Sequence, residues 1–524
     1  MRKRPNVLVF LTDQQRADTI GALGNRTIRT PALDRLCREG TAFARACTSV
    51  PVCVPARVCM ATGRPGHVVR CVDNQHGPLD APSYMTALRK AGYQTHGIGK
   101  FHYMARWDLY RAFETLEPTS ARGEGVADWP SVLGDYVGHV AAKGYPPGTP
   151  ALGLRSEFYY IPQPSILRAE DHETSWIADR AIQFLRRRDR SRPFLLECHF
   201  DHPHPPFELP LPWLLLYRAA ELTEPVCPEN YRDYHARMNR VQNRYKWMDQ
   251  ALENDLLLRT IRAVYYGMIS FIDHSVGRIL KALGDELANT LVIFAADHGE
   301  MLGDYGCVGK RCMLGGAVRV PLIVRWAGRI AAGRVHRGAV STMDLCPTIL
   351  QAAGLEADAH REARSLLDSP ADGRVVFSQF GRRWIGNYMA SDGQWKYLYS
   401  AADNREWLFR EQDALVEGDN LASAPAAREY LERLRSALLA RHREDDWSGA
   451  VADGAWRRYE PPPLTLEEDP DHGLLFQDSR SLQKQIDGLG QYVRRVTGLQ
   501  EADLIHQHMV PQEHHRAGGG RGAR

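Results

Sequence analysis

The stretch NVLVFLTD, Asn6–Asp13, decides how this chain folds. Five consecutive apolar residues, Val7 to Leu11, leave no polar face, so the strand they form is buried on both sides. It ends in an acid. NTLVIFAADHGE, Asn289–Glu300, repeats the pattern and ends in Asp297 and His298. PFLLECHF (Pro193–Phe200) is a third apolar run. Between them lie helical patterns: TPALDRLCREG with Thr30 as N-cap, Pro31 in the first turn and Gly40 at the stop, TSWIADRAIQFLRRR, and Ile261–Gly284 with apolar residues at helical spacing. Met85–Lys100 reads as helix, glycine break and strand. Strands alternating with helices predict an α/β fold, a mostly parallel sheet sandwiched by helices. Ligands in such sheets bind beyond the carboxyl ends of the strands, which puts Asp13 and Asp297 on one rim.

Length and composition frame that core. The 524 residues exceed one core and imply a large domain plus a smaller one. Beyond Asp368 the texture changes to alternating aromatic and polar residues with turn signals, then a helix at Ala426–His442. We therefore expect a catalytic α/β domain over 1–368 and a small α+β domain with an antiparallel sheet and a helix over 369–445. An extension over 446–524 follows, ending in the flexible tail HHRAGGGRGAR. Pro118–Ile166, rich in Gly and Pro, is expected as a long surface excursion near the site. A net charge of +3, from 66 basic and 63 acidic residues, gives no reason to expect nucleic acid or an anionic membrane as partner. The apolar run near the start is too short for a signal peptide, and no segment has the length to span a bilayer. The ten cysteines form no CxxC pair and are expected as reduced, mostly buried thiols in a soluble, cytoplasmic protein.

CVPARVCMATG, Cys53–Gly63, carries the chemistry. Pro55 suits a first helical turn, so Cys53 sits at a helix N-terminus, where backbone N–H groups favour negative charge. An isolated cysteine is more often buried packing material. Here Cys53-x-Pro55-x-Arg57 followed by Thr62-Gly63 resembles the signature of the sulfatases, a branch of the alkaline phosphatase superfamily. LTDQQRAD, VDNQHG, GKFHYM, HPHPPF, DHGEMLGDYGCVGK and STMDLCPTIL occur in that family's order, and the resemblance runs from Asn6 to about Ala422.

The resemblance implies an alkaline-phosphatase-like fold and a sulfuric ester hydrolase whose Cys53 is oxidised after synthesis to formylglycine by a formylglycine-generating enzyme. It implies one divalent cation held by Asp13, Gln14, Asp297, His298 and the side chain at position 53. Oxygen-rich ligation suits calcium first, or magnesium with waters retained, and the imidazole of His298 leaves manganese open. Asp-Gln paired with Asp-His is similar to the choline sulfatase and phosphonate monoester hydrolase branch. The family pattern makes Lys100 and Lys310 the holders of sulfate oxygens, His102 the base at the nucleophile and His204 the group at the leaving oxygen. Arg57 holds charge or orders the loop, and Asn74 contacts the substrate oxyanion. His199 and His202 read as idle residues of a proline-rich turn.

The implied reaction starts with one hydroxyl of the hydrated aldehyde attacking the sulfur of a small-molecule sulfate ester, with Lys100, Lys310 and Arg57 holding charge. His204 then protonates the alcohol, and His102 takes the second hydroxyl's proton so that sulfate leaves. Two other readings stay open: a phosphonate monoester or phosphodiester hydrolase on the same site, and a binding protein whose Cys53 is never converted. The alcohol is open among aryl, sugar and choline sulfates; Trp384, Trp395 and Trp407 offer material for a choline cage, though core packing is the commoner use. The resemblance also implies a homo-oligomer reached through the C-terminal extension.

Overall fold

The computed structural model describes residues 4–74, 77–79, 81–104, 106–119, 134–146, 149, 151–154, 158–368 and 373–465. In chain order the large domain holds β1 (Asn6–Thr12), α1 (Pro31–Glu39), β2 (Thr41–Phe43), α2 (Cys53–Thr62), α3 (Tyr84–Lys90), β3 (Gln94–Gly99) and β4 (Thr115–Pro118). It continues with α4 (Glu173–Arg187), β5 (Phe194–Phe200), α5 (Asp255–Leu283), β6 (Thr290–Ala296), β7 (Leu322–Arg325), β8 (Arg334–His336) and α6 (Leu345–Ala352). The strands form one sheet in the order β8-β2-β7-β6-β1-β5-β3-β4. β1 lies inside it, with Leu11 opposite His199 of β5 and Ala295 of β6, both in parallel pairing. Among the described strands of this sheet, β7 alone runs against the rest.

The unbroken apolar run of β1 is explained by the two layers it separates. Val7, Val9 and Leu11 pack with Val54 and Val58 of α2, Met85 and Leu88 of α3 and Ile349 of α6. Leu8 and Phe10 point the other way, onto Leu33 and Leu36 of α1, Ile177 of α4 and Ile272 and Val276 of α5. A polar residue anywhere in the run would face one of these cores. Thr30 does precede α1, but its hydroxyl donates to Asp34 Oδ1 at 3.0 Å and accepts from Gly21 N–H at 2.9 Å, so it makes no side-chain cap.

The smaller unit is an antiparallel sheet of β9 (Val376–Phe380), β10 (Asn387–Ser391), β11 (Trp395–Ser400) and β12 (Arg405–Arg410), with α7 (Arg428–Glu444) packed on it. Its core continues past 445, since Trp456 stacks on Tyr399 at 4.3 Å and donates to Tyr397 Oη. The three tryptophans considered for a choline cage serve packing. Trp395 stacks on Tyr430, Trp407 is buried with its indole N–H on the Asp233 carbonyl, and Trp384 lies under the Arg237 guanidinium. All ten cysteines are free thiols, nine of them buried. No helix among the described residues is long and apolar enough to cross a membrane. The expected C-terminal tail lies outside the described residues, as does part of the Pro118–Ile166 excursion.

Candidate active site

Asp13, Gln14, Lys100, Asp297 and His298 sit where buried strands stop. β1 gives way to Asp13 and Gln14, and Gln14 adopts a left-handed φ of 69°. Tyr265 of α5 holds that bend: its hydroxyl donates to the Gln14 carbonyl at 2.6 Å and accepts the Arg16 N–H at 2.9 Å. β6 gives way to Asp297 and His298. The next residue must be glycine, because a Cβ on Gly299 would fall 2.0 Å from the Gly316 carbonyl oxygen. β3 ends at Gly99, whose φ of 104° and the His199 carbonyl, 1.9 Å from where a Cβ would sit, exclude a side chain. Lys100 follows directly. Cys53 opens α2 as expected, and Asn74 Oδ1 accepts the Val54 N–H at 3.1 Å, so this oxygen satisfies a free donor of the helix end.

Asp13, Cys53, Asp297 and His298 are all buried and each brings one ligand atom within 4.8 Å of the others. The hydrogen bonds around them leave acceptors facing inward. Asp13 Oδ1 and Gln14 Oε1 are buried with no hydrogen-bond partner. His298 Nδ1 lies 3.0 Å from the Gly299 carbonyl, so it carries the ring proton and leaves the Nε2 lone pair for the cluster, 3.5 Å from Asp13 Oδ1. Orphaned buried oxygens beside an aimed imidazole suit a divalent cation, and these residues would hold one.

Arg57 was expected near an anion or as an organiser of the loop. It lies against two carboxylates and the Lys100 carbonyl. Its Nε reaches Asp297 Oδ2 at 2.9 Å, its Nη2 reaches Asp13 Oδ2 at 3.2 Å, and its Nη1 donates to the Lys100 carbonyl at 2.5 Å. One fully buried guanidinium thus holds both carboxylates, leaving Asp13 Oδ1 without a partner while Asp297 Oδ1 accepts the Gln14 and His298 N–H groups at 3.0 and 2.8 Å. His199 lies beside the same guanidinium at 3.3 Å and pairs with Glu197.

The anion-binding half faces Cys53. Lys310 Nζ lies 3.1 Å from Cys53 Sγ and 3.3 Å from His298 Nε2. Lys100 Nζ lies 2.8 Å from Asp13 Oδ2 and 2.5 Å from Asp201 Oδ1. Burial pushes the Cys53 thiol up, but the Lys310 ammonium and hydrogen bonds with His102, His204 and His298 outweigh it and hold the thiol well below its ordinary range. Position 53 is therefore built to carry negative charge. Burial and the neighbouring Cys53 work against charge on Asp13, yet Lys100, His204 and Lys310 hold it below the usual carboxylate range. Burial, then Lys100 and Lys310, lower His204 to about 3, so its imidazole rests neutral.

Several participants went unread in the sequence. Tyr159 places its hydroxyl 3.1 Å from His204 Nε2, and Tyr160 donates to Glu300 Oε1 at 2.6 Å. Both come from the Gly/Pro-rich excursion, which was placed near the site without naming a residue. Glu300, within ADHGE, had no role assigned and is completely buried beside Asp297 and His298. His202 belongs to a second histidine–acid group, His172, His202 and Glu208. There His172 Nδ1 accepts the Thr174 N–H, so Nε2 carries the proton and donates it to Glu208 at 3.1 Å. That tautomer leaves no lone pair on His172 for a cation.

A family model described as sulfatase matches residues 5–355. The chain belongs to the sulfatase family. It is 29% identical over 464 residues to an arylsulfatase of Clostridium perfringens, covering 83% of this chain and 94% of that one. It is 31% identical over 408 residues to a multifunctional alkaline phosphatase superfamily protein of Trinickia caryophylli, covering 71% of this chain and 78% of the other. The fold matches the crystal structure of a phosphonate monoester hydrolase of Agrobacterium radiobacter at a TM-score of 0.67 and 22% identity, over 87% of this chain and 100% of that one. This sulfatase is a sulfuric ester hydrolase, and its substrate class is a sulfate ester.

Proposed function

We propose that this sulfatase cleaves a small-molecule sulfate monoester with formylglycine made from Cys53, next to one divalent cation, calcium first, held by Asp13, Gln14, Asp297, His298 and position 53. The observation that carries the reading is the convergence of ligand atoms of Asp13, Asp297 and His298 on Cys53, with Lys310 Nζ 3.1 Å from its sulfur. Bound there, the cation neutralises the ester's charge and makes a hydroxyl at position 53 more acidic. Lys310 and Lys100 bind the non-bridging sulfate oxygens and orient sulfur for in-line attack. His204, neutral at rest, takes up a proton once the ester's negative charge sits beside it and passes it to the departing alcohol. His102 removes the remaining hydroxyl proton at position 53, which expels sulfate and restores the aldehyde.

A second reading, phosphonate monoester or phosphodiester hydrolysis, is favoured by the pairing of Gln14 with His298 and by the fold match to a phosphonate monoester hydrolase. The lysine–histidine pair at Lys100 and His102 favours sulfate. The test is to co-produce the chain with a formylglycine-generating enzyme and compare kcat/KM on matched aryl sulfate, phosphonate and phosphodiester esters. Mass spectrometry of the Cys53 peptide accompanies it. The sulfate ester is expected to be fastest on aldehyde-bearing protein; a thiol persisting in active protein ends the formylglycine mechanism.

A further inference from the structure

A glutamine can ligate a cation only through its oxygen, and its carboxamide must be told which way to face. At Gln14 the answer comes from Glu300. Gln14 Nε2 hydrogen-bonds to Glu300 Oε2, and Gln14 Oε1 is left buried and unpartnered, one residue along the chain from Asp13. A carboxylate accepts and cannot donate, so the reverse orientation of the amide would set oxygen against oxygen and turn two N–H groups toward the cation.

Glu300 is itself fixed on every side. Its Oε1 accepts the Tyr160 hydroxyl at 2.6 Å, the Leu302 N–H at 3.1 Å and the Gly309 N–H, and its carbonyl accepts from Arg16 at 3.0 Å. Burial and the adjacent Glu300 push the Tyr160 phenol well above its usual range, so it remains a donor. Gly309 immediately precedes Lys310, the residue at Cys53. One fully buried carboxylate therefore joins the bend of Gln14, the loop carrying Lys310 and the Gly/Pro-rich excursion through Tyr160.

We propose that Glu300 is a positioning residue that sets the amide orientation of Gln14, and through it the affinity of the site for its cation, while touching neither cation nor substrate. The inference rests on the cation site of the proposed function. In Glu300→Gln the partner can both donate and accept, so the Gln14 amide loses its bias. In Gln14→Glu/Glu300→Gln the roles are exchanged: position 300 donates, position 14 accepts, and an oxygen again faces the cluster.

The experiment is isothermal titration of calcium, and separately manganese, into chelator-stripped full-length protein, with thermal unfolding run beside it. Glu300→Gln is expected to bind about 10- to 100-fold more weakly than wild type, the range seen when a metal ligand's orienting partner is lost. The double variant is expected to recover most of that loss. Should Glu300→Gln not fold, Glu300→Asp serves in its place, because it keeps the charge but withdraws the oxygen from Gln14, and the same weakening is expected. Wild-type-like affinity in the single variant overturns the inference. A double variant no better than the single does so too, since charge or packing would then explain the loss. If wild type binds neither cation, the proposed cation site itself fails, which is a separate result.

Discussion

Two groups of histidine and acid in this molecule contain the same residue types and differ in where their donors stand. At the sheet rim, Arg57 takes one oxygen each of Asp13 and Asp297, while Asp13 Oδ1 lies 3.5 Å from His298 Nε2 and Gln14 Oε1 is buried without a partner. At the seam between the two domains, His67, His360, Glu362 and Asp445 meet, and two arginines pair with the acids. Asp445 accepts Arg361 at 2.7 Å on one oxygen and pairs with His67 at 2.7 Å on the other. Arg361 also reaches His360 Nε2 at 2.8 Å, and Arg441 reaches Glu362 at 2.7 Å. An inventory of ligand types therefore does not make a cation site. Arg57 backs the rim carboxylates and leaves Asp13 Oδ1 without a hydrogen-bond partner, whereas both Asp445 oxygens and one Glu362 oxygen at the seam are taken by Arg361, His67 and Arg441.

The largest expected effect separates the two in activity. Cys53→Ala lowers kcat/KM on an aryl sulfate by about 10⁴-fold or more, in line with removal of a nucleophile, with thermal unfolding little changed. Asp445→Asn keeps the rate within about threefold, since a substitution away from the site acts on stability. Equal losses in both variants would erase the distinction.

Stability gives the next contrast. Arg57→Met leaves two buried carboxylates without their shared guanidinium and costs about 3–5 kcal/mol in urea unfolding. Arg361→Ala removes a cation that is 48% exposed and costs about 0–1 kcal/mol. A loss for Arg57→Met no larger than for Arg361→Ala would mean the rim carboxylates tolerate each other unaided. Cation binding then adds a smaller, positive effect. Calcium at about 100 times its Kd stabilises a protein that binds it only when folded by about 2.7 kcal/mol. That gain is expected in wild type and in Asp445→Asn and is expected to vanish in Asp297→Asn; a gain retained in Asp297→Asn would place the ion elsewhere.

How much of this was legible beforehand follows from the range of the interactions. The run Val7–Leu11 announces a doubly covered strand because every residue in it must be apolar, and a strand that ends in acid at a sheet rim marks itself. Cys53, Pro55 and Arg57 lie within one helical turn, so their grouping is written locally. The backing role of Arg57 was not, since its partners Asp13 and Asp297 are 44 and 240 residues away. Glu300 and Tyr160 meet across 140 residues, and neither carries a local pattern that separates it from an ordinary loop residue. The seam is harder still: His67 and Asp445 meet across 378 residues, and each reads alone as a surface turn.

That seam also gives the smallest effect, a pH dependence. Burial pushes the Asp445 carboxyl up, but hydrogen bonds from His67 and Arg361 outweigh it and hold the group well below its ordinary 3.8. A depressed carboxylate contributes stability that is fully present above its unfolded value and is lost as pH falls through the folded one. The wild-type advantage over Asp445→Asn in thermal midpoint should therefore be constant from pH 7 to about 5, clear of carboxylate titration, and narrow below about pH 4. Midpoints of both proteins between pH 7 and 3 check this. A gap that stays level to pH 3 would mean that Asp445 fastens the domains by shape and neutral hydrogen bonds, and that the seam, unlike the rim, makes no use of its charge.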